Sequence, residues 1–159
     1  MKAVVLTVSD GVARGERDDR SGDLLAELLA EAGFEVERRV VPDEREDIAA
    51  ALVELAESSR LVLTTGGTGV AQRDVTPEAT AAVIEREVPG IAEAIRADSI
   101  AKTPHALLSR GIAGVRGSAL IVNLPGSTGG CRDGYDVLRP ALGHGLALLA
   151  GEETRHLQT

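Results

Sequence analysis

Short segments rich in valine, leucine and isoleucine recur along this chain and end at polar or glycine-containing sequence. They lie at 2–8, 36–41, 61–65 and 119–124, and they are five to seven residues long. Segments of this length and composition, bounded by turn-forming residues, are typical of strands, and the nearly continuous apolar ones are typical of strands buried on both faces. The pattern therefore predicts four strands.

The sequence between these strands has the spacing of amphipathic helices. Ser21 is placed to cap a first helix, which carries leucines at 24, 25, 28 and 29 and stops at Gly33. The segment 11–20 has no period and is predicted to be a loop. Further helices are predicted from Asp43 onward, from Pro77 toward Glu87, from Pro89 through Ala101, and from Leu138 onward with Pro140 near the start.

This alternation implies one α/β domain over residues 1–159, with three layers and a mostly parallel sheet that carries helices on both faces. In such folds ligands bind beyond the carboxyl ends of the strands. We use the name carboxyl-end rim for the loops that follow Val8, Val41, Thr65 and Leu124. Three of these loops are rich in glycine, serine or threonine, so the rim is the predicted ligand site.

Charge and composition narrow the class of ligand. The chain has 25 acidic and 17 basic residues, a net charge of −8, and its aromatic residues are Phe34 and Tyr135. A negative field without aromatic stacking platforms argues against nucleic acid as a partner. No apolar run approaches the roughly 18 residues of a membrane span, and no signal-like segment opens the chain, so we expect a cytoplasmic protein without membrane contact. Cys131 is the only cysteine, which excludes an intrachain disulfide.

Glycines after the third strand are the first candidate for ligand binding. In Gly66-Gly67-Thr68-Gly69, backbone N–H groups can approach a phosphate that a Cβ would keep away. The alternative is a tight turn with positive φ, and neither the Walker A pattern nor GxGxxG is complete. Arg73 and Asp74 lie just before the Thr76-Pro77 helix start, so a cation, a carboxylate and a helix N-terminus adjoin the glycines. Together these residues favour an anionic ligand.

Two carboxylates on the rim point to a divalent cation. Asp43 and Asp74 both lie at strand-to-helix junctions, where they could hold Mg²⁺ against phosphate oxygens, with Arg73 and Arg110 as further donors. Alternatively, Asp43 caps the following helix and Asp74 bonds backbone amides locally. A second glycine loop, Pro125-Gly126-Ser127-Thr128, offers hydroxyl donors to a phosphate or a heterocycle.

Taken in order, these segments resemble the MogA/MoaB family of molybdenum cofactor biosynthesis proteins, which includes the gephyrin G domain. The resemblance covers nearly the whole chain. Two segments differ from the common family pattern: Ser127-Thr128 stands where Asn-Pro is frequent, and a lysine common at Ala101 stands at Lys102. The motifs that carry the resemblance are Val8-Ser9-Asp10, Asp19-Arg20-Ser21-Gly22, Val41-Pro42-Asp43-Glu44, Thr65–Gly69, Arg73–Thr80, Glu87–Gly90, Leu108-Ser109-Arg110, Gly114–Gly117 and Asn123–Gly126.

This resemblance implies the molybdopterin-binding fold, a homotrimer, and Mg²⁺-dependent transfer of AMP from ATP to molybdopterin, which gives adenylyl-molybdopterin and pyrophosphate. It implies Asp43 and Asp74 as catalytic carboxylates and metal ligands, Ser109 as a pterin contact, and hand-over of the product to a molybdate-inserting enzyme. The substrate-binding residues expected on the rim are Ser9, Asp10, Gly66, Gly67, Thr68, Gly69, Arg73, Ser109, Arg110, Pro125, Gly126 and Ser127.

Other interpretations compete with the adenylyltransferase. A non-catalytic MoaB-type protein would bind molybdopterin at the same rim without turning over ATP. A molybdate-inserting or CinA-type domain usually belongs to a longer chain, and a plain interaction module would leave the clustered glycines and carboxylates without a role. The sequence also leaves open which glycine loop takes adenosine and which takes the pterin.

Overall fold

The elements of the structure follow the alternation of strands and helices. In the computed structural model, which describes residues 1–152, the elements are, in chain order, β1 (Lys2–Val8), α1 (Asp10–Ala13), α2 (Arg20–Glu31), β2 (Glu35–Val41), α3 (Arg45–Ser58), β3 (Leu61–Thr65), α4 (Thr76–Val83), β4 (Arg86–Glu87), α5 (Pro89–Lys102), a 3₁₀ turn (Pro104–Leu108), β5 (Ala113–Arg116), β6 (Ala119–Leu124) and α6 (Thr128–Leu149).

One sheet joins the strands of the described residues in the order β2-β1-β3-β6-β5-β4. The pairs β1–β2, β1–β3 and β3–β6 are parallel, whereas β5 is antiparallel to β6 and β4 is antiparallel to β5. The predicted α/β fold with a mostly parallel sheet is therefore confirmed, and the antiparallel strands lie at one edge.

Helices cover both faces of the sheet, which confirms the three-layer prediction. Residues of α2, α5 and α6 pack with Ala3 and Val5 of β1 in one core, and residues of α3 and α4 pack with Val4 and Leu6 in the other. Successive side chains of a strand point to opposite faces, so the nearly continuous apolar run of β1 supplies both cores at once.

The edge beyond β6 differs from the prediction. The helix expected from Pro77 toward Glu87 ends at Val83, and Arg86–Glu87 instead forms β4 against β5, a strand that the sequence pattern did not indicate. A Cβ at Gly114 of β5 would lie 2.7 Å from the Arg86 carbonyl oxygen, so glycine permits the two backbones to come this close.

Several helix starts also differ from the prediction. Asp19, not Ser21, caps α2, because its Oδ1 accepts from the N–H of Gly22 at 3.1 Å. The last helix begins at Thr128 rather than near Leu138, so Pro140 lies inside it. The segment 11–20 is not wholly a loop, because α1 extends into it.

Candidate functional site

Parallel pairing brings the loops of the carboxyl-end rim together. Thr7 of β1 is in register with Thr65 of β3, and Thr65 is in register with Leu124 of β6. The loops remain tied after the strands end, since Ser9 N–H donates to the Val41 carbonyl at 3.0 Å and Gly66 N–H donates to the Leu124 carbonyl at 3.2 Å. The four loops predicted to meet therefore start side by side.

Asp10 and Asp43 join the loops after β1 and β2 by reciprocal hydrogen bonds. Asp10 N–H donates to Asp43 Oδ2 at 2.9 Å, and Asp43 N–H donates to Asp10 Oδ1 at 3.0 Å. Arg73, from the loop after β3, places its Nε 2.7 Å from Asp10 Oδ2 and also contacts Glu44. The Arg73 guanidinium, followed by the Asp43 N–H, holds the pKa of the Asp10 carboxyl below its usual range.

The environment of the Asp43 carboxylate disfavours its charged form. Burial is the main cause of its raised pKa, and the negative charges of Asp10 and Asp74 raise the pKa further, against the lowering effect of the Asp10 N–H and of Arg73. The alternative role predicted for Asp43, as a helix cap, is wrong: the N-cap of α3 is Glu44. Asp43 instead accepts from the Asp10 N–H and so joins two loops of the rim.

The glycine loop after β3 passes between two carboxylates. A Cβ at Gly67 would lie 3.3 Å from Asp43 Oδ1, and a Cβ at Gly69 would lie 2.9 Å from Asp74 Oδ2. Gly66 and Gly67 have φ angles of 100° and 69°, so the positive-φ turn considered from the sequence is confirmed. Close approach of the loop backbone to both carboxylates thus depends on glycine.

Unpaired amides line this glycine loop. In the part of the chain that the structure describes, the N–H groups of Gly67, Thr68 and Gly69 donate to no protein acceptor. Nearby, the Asp74 carboxylate accepts from Ala71 N–H at 3.0 Å, so the predicted local amide bond of Asp74 is present. Amides that lack a partner, next to carboxylates and the N-terminus of α4, form an arrangement suited to a phosphate with its counter-ion.

The two cationic side chains predicted to bind phosphate both have protein partners. Arg73 bonds Asp10 and Glu44, as described. Arg110 donates from Nε to the Gly69 carbonyl at 2.7 Å and from Nη2 to the Asp74 carbonyl at 2.8 Å, and it pairs with Glu78. Arg110 therefore bonds the backbone of the glycine loop rather than extending into the rim.

Cavities flank the glycine loop on both sides. One, of about 430 Å³, has aliphatic lining from Ile95 and Leu108 together with Ser109 and Lys102. Another, of about 480 Å³, is lined by polar groups that include Thr65 and Asp19. The aliphatic-lined cavity includes four of the predicted binding residues, Thr68, Gly69, Ser109 and Pro125. The polar cavity includes Gly66 and Gly126, and Ser127 lines both cavities. Another space, outside these cavities, is bordered by Asp10 and Arg73.

A buried hydroxyl group and a buried thiol group donate hydrogen bonds to the backbone of the second glycine loop. The Pro125 carbonyl accepts from Thr65 Oγ1 at 2.8 Å and from Cys131 Sγ at 3.0 Å. Burial raises the pKa of the Cys131 thiol to about 11, so the thiol is protonated at neutral pH. Ser127 Oγ accepts from Gly130 N–H at 3.1 Å and caps α6.

Residues outside the predicted site also shape the rim. Asp19 accepts from Thr7 Oγ1 at 2.8 Å in addition to capping α2, which fixes the wall of the polar cavity. Asn123 donates from Nδ2 to Thr64 and Thr80, each at 3.0 Å. The capping role of Asp19 could have been found from its spacing to Gly22, whereas the partners of Asn123 are too distant in sequence for a local pattern to indicate.

Residues 1–152 contain neither a membrane-spanning helix nor a metal-binding cluster of side chains. No helix there combines the length and apolar character needed to cross a bilayer. Nor do His, Cys, Asp and Glu residues of this range come together in groups of three or more that could hold a metal ion.

A family model described as "Probable molybdopterin binding domain" matches residues 4–144. The chain belongs to this molybdopterin-binding family. The family resemblance noted in the sequence is thereby confirmed, and the loops of the carboxyl-end rim all lie within the matched residues.

Relatives within the molybdopterin-binding family include an Escherichia coli (strain K12) protein named molybdopterin adenylyltransferase. It is 42% identical over 145 residues, which are 88% of this chain and 74% of the relative. The Drosophila melanogaster molybdenum cofactor synthesis protein cinnamon is 40% identical over 152 residues, 93% of this chain, which spans only 25% of that longer protein. A crystal structure of the molybdopterin biosynthesis enzyme MoaB from Thermus thermophilus is 48% identical, with a TM-score of 0.89 and coverage of 97% of this chain and 99% of that one.

Proposed function

We propose that this protein is a molybdopterin adenylyltransferase, which transfers AMP from ATP to molybdopterin and releases pyrophosphate. The observation that carries the proposal is the glycine loop at 66–69, whose N–H groups at 67–69 lack protein acceptors and whose backbone passes between Asp43 and Asp74. The name of the Escherichia coli relative, at 42% identity, supports the same activity.

Asp43 and Asp74 fit a role in holding Mg²⁺ together with the phosphates of ATP. Mg²⁺ is usually bound by one or two carboxylates plus substrate phosphates rather than by an all-protein cage. Burial, and after it repulsion from Asp10 and Asp74, raises the pKa of Asp43, and a cation would relieve this repulsion. When bound, Mg²⁺ would neutralise charge on the phosphates and on the leaving pyrophosphate.

The reaction requires positioning and charge stabilisation more than proton transfer. An oxygen of the molybdopterin phosphate forms a bond to the α-phosphorus of ATP, and the bond from that phosphorus to the bridging oxygen breaks, with its electron pair leaving on pyrophosphate. The amides of Gly67, Thr68 and Gly69 would donate to phosphate oxygens in this step. Ser109 would contact the pterin from the wall of the aliphatic-lined cavity.

The test is formation of adenylyl-molybdopterin and pyrophosphate from ATP, molybdopterin and Mg²⁺. Asparagine at Asp43 or Asp74 retains an oxygen acceptor for the local amide bond but removes the charge, so we expect each variant to lose about 100-fold in turnover. Binding of molybdopterin should change by less than about threefold. The matched control is Asp47→Asn, at an exposed aspartate in the first turn of α3, which should retain native turnover.

Each outcome of this assay separates the competing interpretations. Unchanged turnover in Asp74→Asn would refute the proposed role of that carboxylate. Tight molybdopterin binding by the native protein without release of pyrophosphate would favour a non-catalytic MoaB-type carrier. Failure to bind either a pterin or a nucleotide would favour an interaction module.

The family resemblance also supports further proposals about the protein in the cell. We propose that it is a cytoplasmic homotrimer that passes its product to a molybdate-inserting enzyme. Light scattering coupled to size-exclusion chromatography checks the trimer. A mass near that of one 16.5 kDa chain would contradict it.

A further inference from the structure

Arg110 makes an unusual number of contacts to one loop. Its backbone N–H donates to the Thr68 carbonyl at 2.8 Å, and its side chain donates to the carbonyls of Gly69 and Asp74 at 2.7 and 2.8 Å. These acceptors lie at the two ends of the segment 68–74. One arginine therefore fixes the distance between the end of the glycine loop and the backbone of Asp74, which a planar guanidinium with several donors is suited to do.

Glu78 holds the Arg110 guanidinium in this position. The Glu78 carboxylate pairs with Nη1 of Arg110 from the first turn of α4, the helix that follows the 68–74 segment directly. The Arg110 guanidinium is also the main cause that lowers the pKa of the Glu78 carboxyl. The pair thus links Asp74 to the start of α4 through side chains as well as through the backbone.

The backbone of Arg110 is itself anchored on its C-terminal side. Arg96 of α5 donates from Nη1 to the Gly111 carbonyl at 2.6 Å, and Asn123 Oδ1 accepts from Ile112 N–H at 3.2 Å. Asn123 is 5% exposed and bonds Thr64 and Thr80 through its amide nitrogen. These hydrogen bonds hold the backbone at residues 111–112, so the position of Arg110 relative to the 68–74 segment is fixed.

We propose that Arg110, held by Glu78, is a positioning residue that keeps Asp74 and the glycine-loop amides in the geometry needed for AMP transfer. This inference rests on the proposed function. It assigns to Arg110 a role different from the phosphate contact expected from sequence, because its donors already bond the carbonyls of Gly69 and Asp74 and the Glu78 carboxylate. Its effect on the reaction passes through Asp74 and the glycine-loop amides.

Kinetics of Glu78→Gln and Arg110→Lys test the proposal. Glutamine retains an acceptor but not the charge, and lysine retains the charge but cannot bond several separated acceptors at once. We expect kcat to fall about 10- to 100-fold, with KM for ATP and the Kd for molybdopterin changed by less than about threefold. The control is Glu46→Gln, at an exposed acid in the first turn of α3, with native kcat expected.

A double-mutant comparison tests whether Glu78 acts through Asp74. In the Asp74→Asn background, Glu78→Gln should cause a smaller further loss of kcat than in the native background, because one of the groups that it positions is already altered. A further loss equal to that in the native background would overturn the proposal. A raised KM for ATP with native kcat in Arg110→Lys would also overturn it, because that result indicates a ligand contact.

Hydrogen exchange gives a readout that does not depend on activity. The hydrogen-bonded amides of Ala71, Asp74 and Arg110 should exchange faster in Glu78→Gln than in Glu46→Gln, while amides of β1 and β6 exchange as in the native protein. Equal exchange in the two variants would overturn the proposal. Absence of AMP transfer by the native protein would instead refute the proposed function, whereas an active native protein, an inactive Asp74→Asn and a fully active Glu78→Gln would together refute only the role of the Arg110–Glu78 pair.

Discussion

Replacing Gly66 with alanine tests how closely the end of β1 approaches the start of the glycine loop. Gly66 is buried with φ of 100°, and a Cβ there would lie 2.3 Å from the Val8 carbonyl oxygen. Gly33 offers a matched comparison, because its φ is 91° but a Cβ there would meet nothing within 4 Å. Both replacements carry the free-energy cost of a positive φ angle, but only the replacement at Gly66 also creates a steric clash.

The magnitude follows from that difference. Positive φ costs an alanine about 1–2 kcal/mol, and the reduced entropy of the unfolded chain returns about 0.4–1 kcal/mol, equally at both positions. At Gly66 the backbone must also shift, which costs about 1–3 kcal/mol. That shift lengthens the bonds from Gly66 N–H to Leu124 and from Thr76 Oγ1 to the Gly66 carbonyl, 3.2 and 2.9 Å long, which adds about 1 kcal/mol. We therefore expect Gly66→Ala to be about 2–4 kcal/mol less stable than Gly33→Ala.

Urea unfolding followed by circular dichroism measures both free energies of unfolding. In thermal unfolding, the difference corresponds to a melting temperature lower by roughly 10 °C for a chain of this size. Gly66→Ala should also lose AMP-transfer activity, because the shift displaces the glycine-loop amides. Equal stability of the two variants, within about 0.5 kcal/mol, would refute the steric argument.

Three further predictions concern the support of the rim. Burial raises the pKa of the Cys131 thiol from 9.0 to about 11, so its stabilising contribution, at most about 3 kcal/mol, is present below pH 9 and is lost as the pH rises to 11. Urea unfolding at pH 8 and at pH 11 measures this loss. Asp19→Ala should lower stability by about 1–2 kcal/mol in the same assay, because the cap on Gly22 and the bond from Thr7 are lost. Asn123→Ala should cost about 3 kcal/mol, since it leaves the Ile112 N–H without its side-chain acceptor, and a melting temperature within about 2 °C of native would contradict this.

The central strands could be predicted from sequence because their signal is local. The segments 2–8, 61–65 and 119–124 match β1, β3 and β6 residue for residue, and all but Lys2 of their residues are buried. Burial on both faces requires an apolar residue at nearly every position, so the strand can be recognised without reference to its neighbours. Meeting of the rim loops then follows from parallel pairing alone.

The edge strands depend on partners distant in sequence, and the start of α6 depends on tertiary packing as well as on a local cap. Strand β5 has four residues, and it is a strand because β6 and β4 pair with it. Gly129 and Gly130 disfavour helix, yet α6 includes them because Ser127 caps it and the buried Cys131 and Tyr135 pack beneath the sheet. Tertiary contacts outweighed local propensity at both places.

The candidate site also has features that the sequence predicts and features that depend on tertiary packing. Residue type and position after a strand predict the glycine loop and the carboxylates of Asp43 and Asp74 as parts of the site. The orientation of Arg110 could not be predicted in this way, because it depends on the Gly69 and Asp74 carbonyls and on Glu78, which lie 41, 36 and 32 residues earlier in the chain. Sequence identifies which donors are available, and packing decides which acceptors they meet.

The strand order also constrains how the molecule assembles during synthesis. By Thr65 the ribosome has produced β1, β2 and β3, which are direct neighbours in the sheet, and α3, which covers one of its faces. The opposite face needs α6, the last helix of the described residues, whose Leu138 and Leu142 share a core with Leu25 of α2. A nascent chain therefore carries an apolar sheet face that α2 covers only in part until α6 has been synthesised, and chaperone demand should be greatest in that interval.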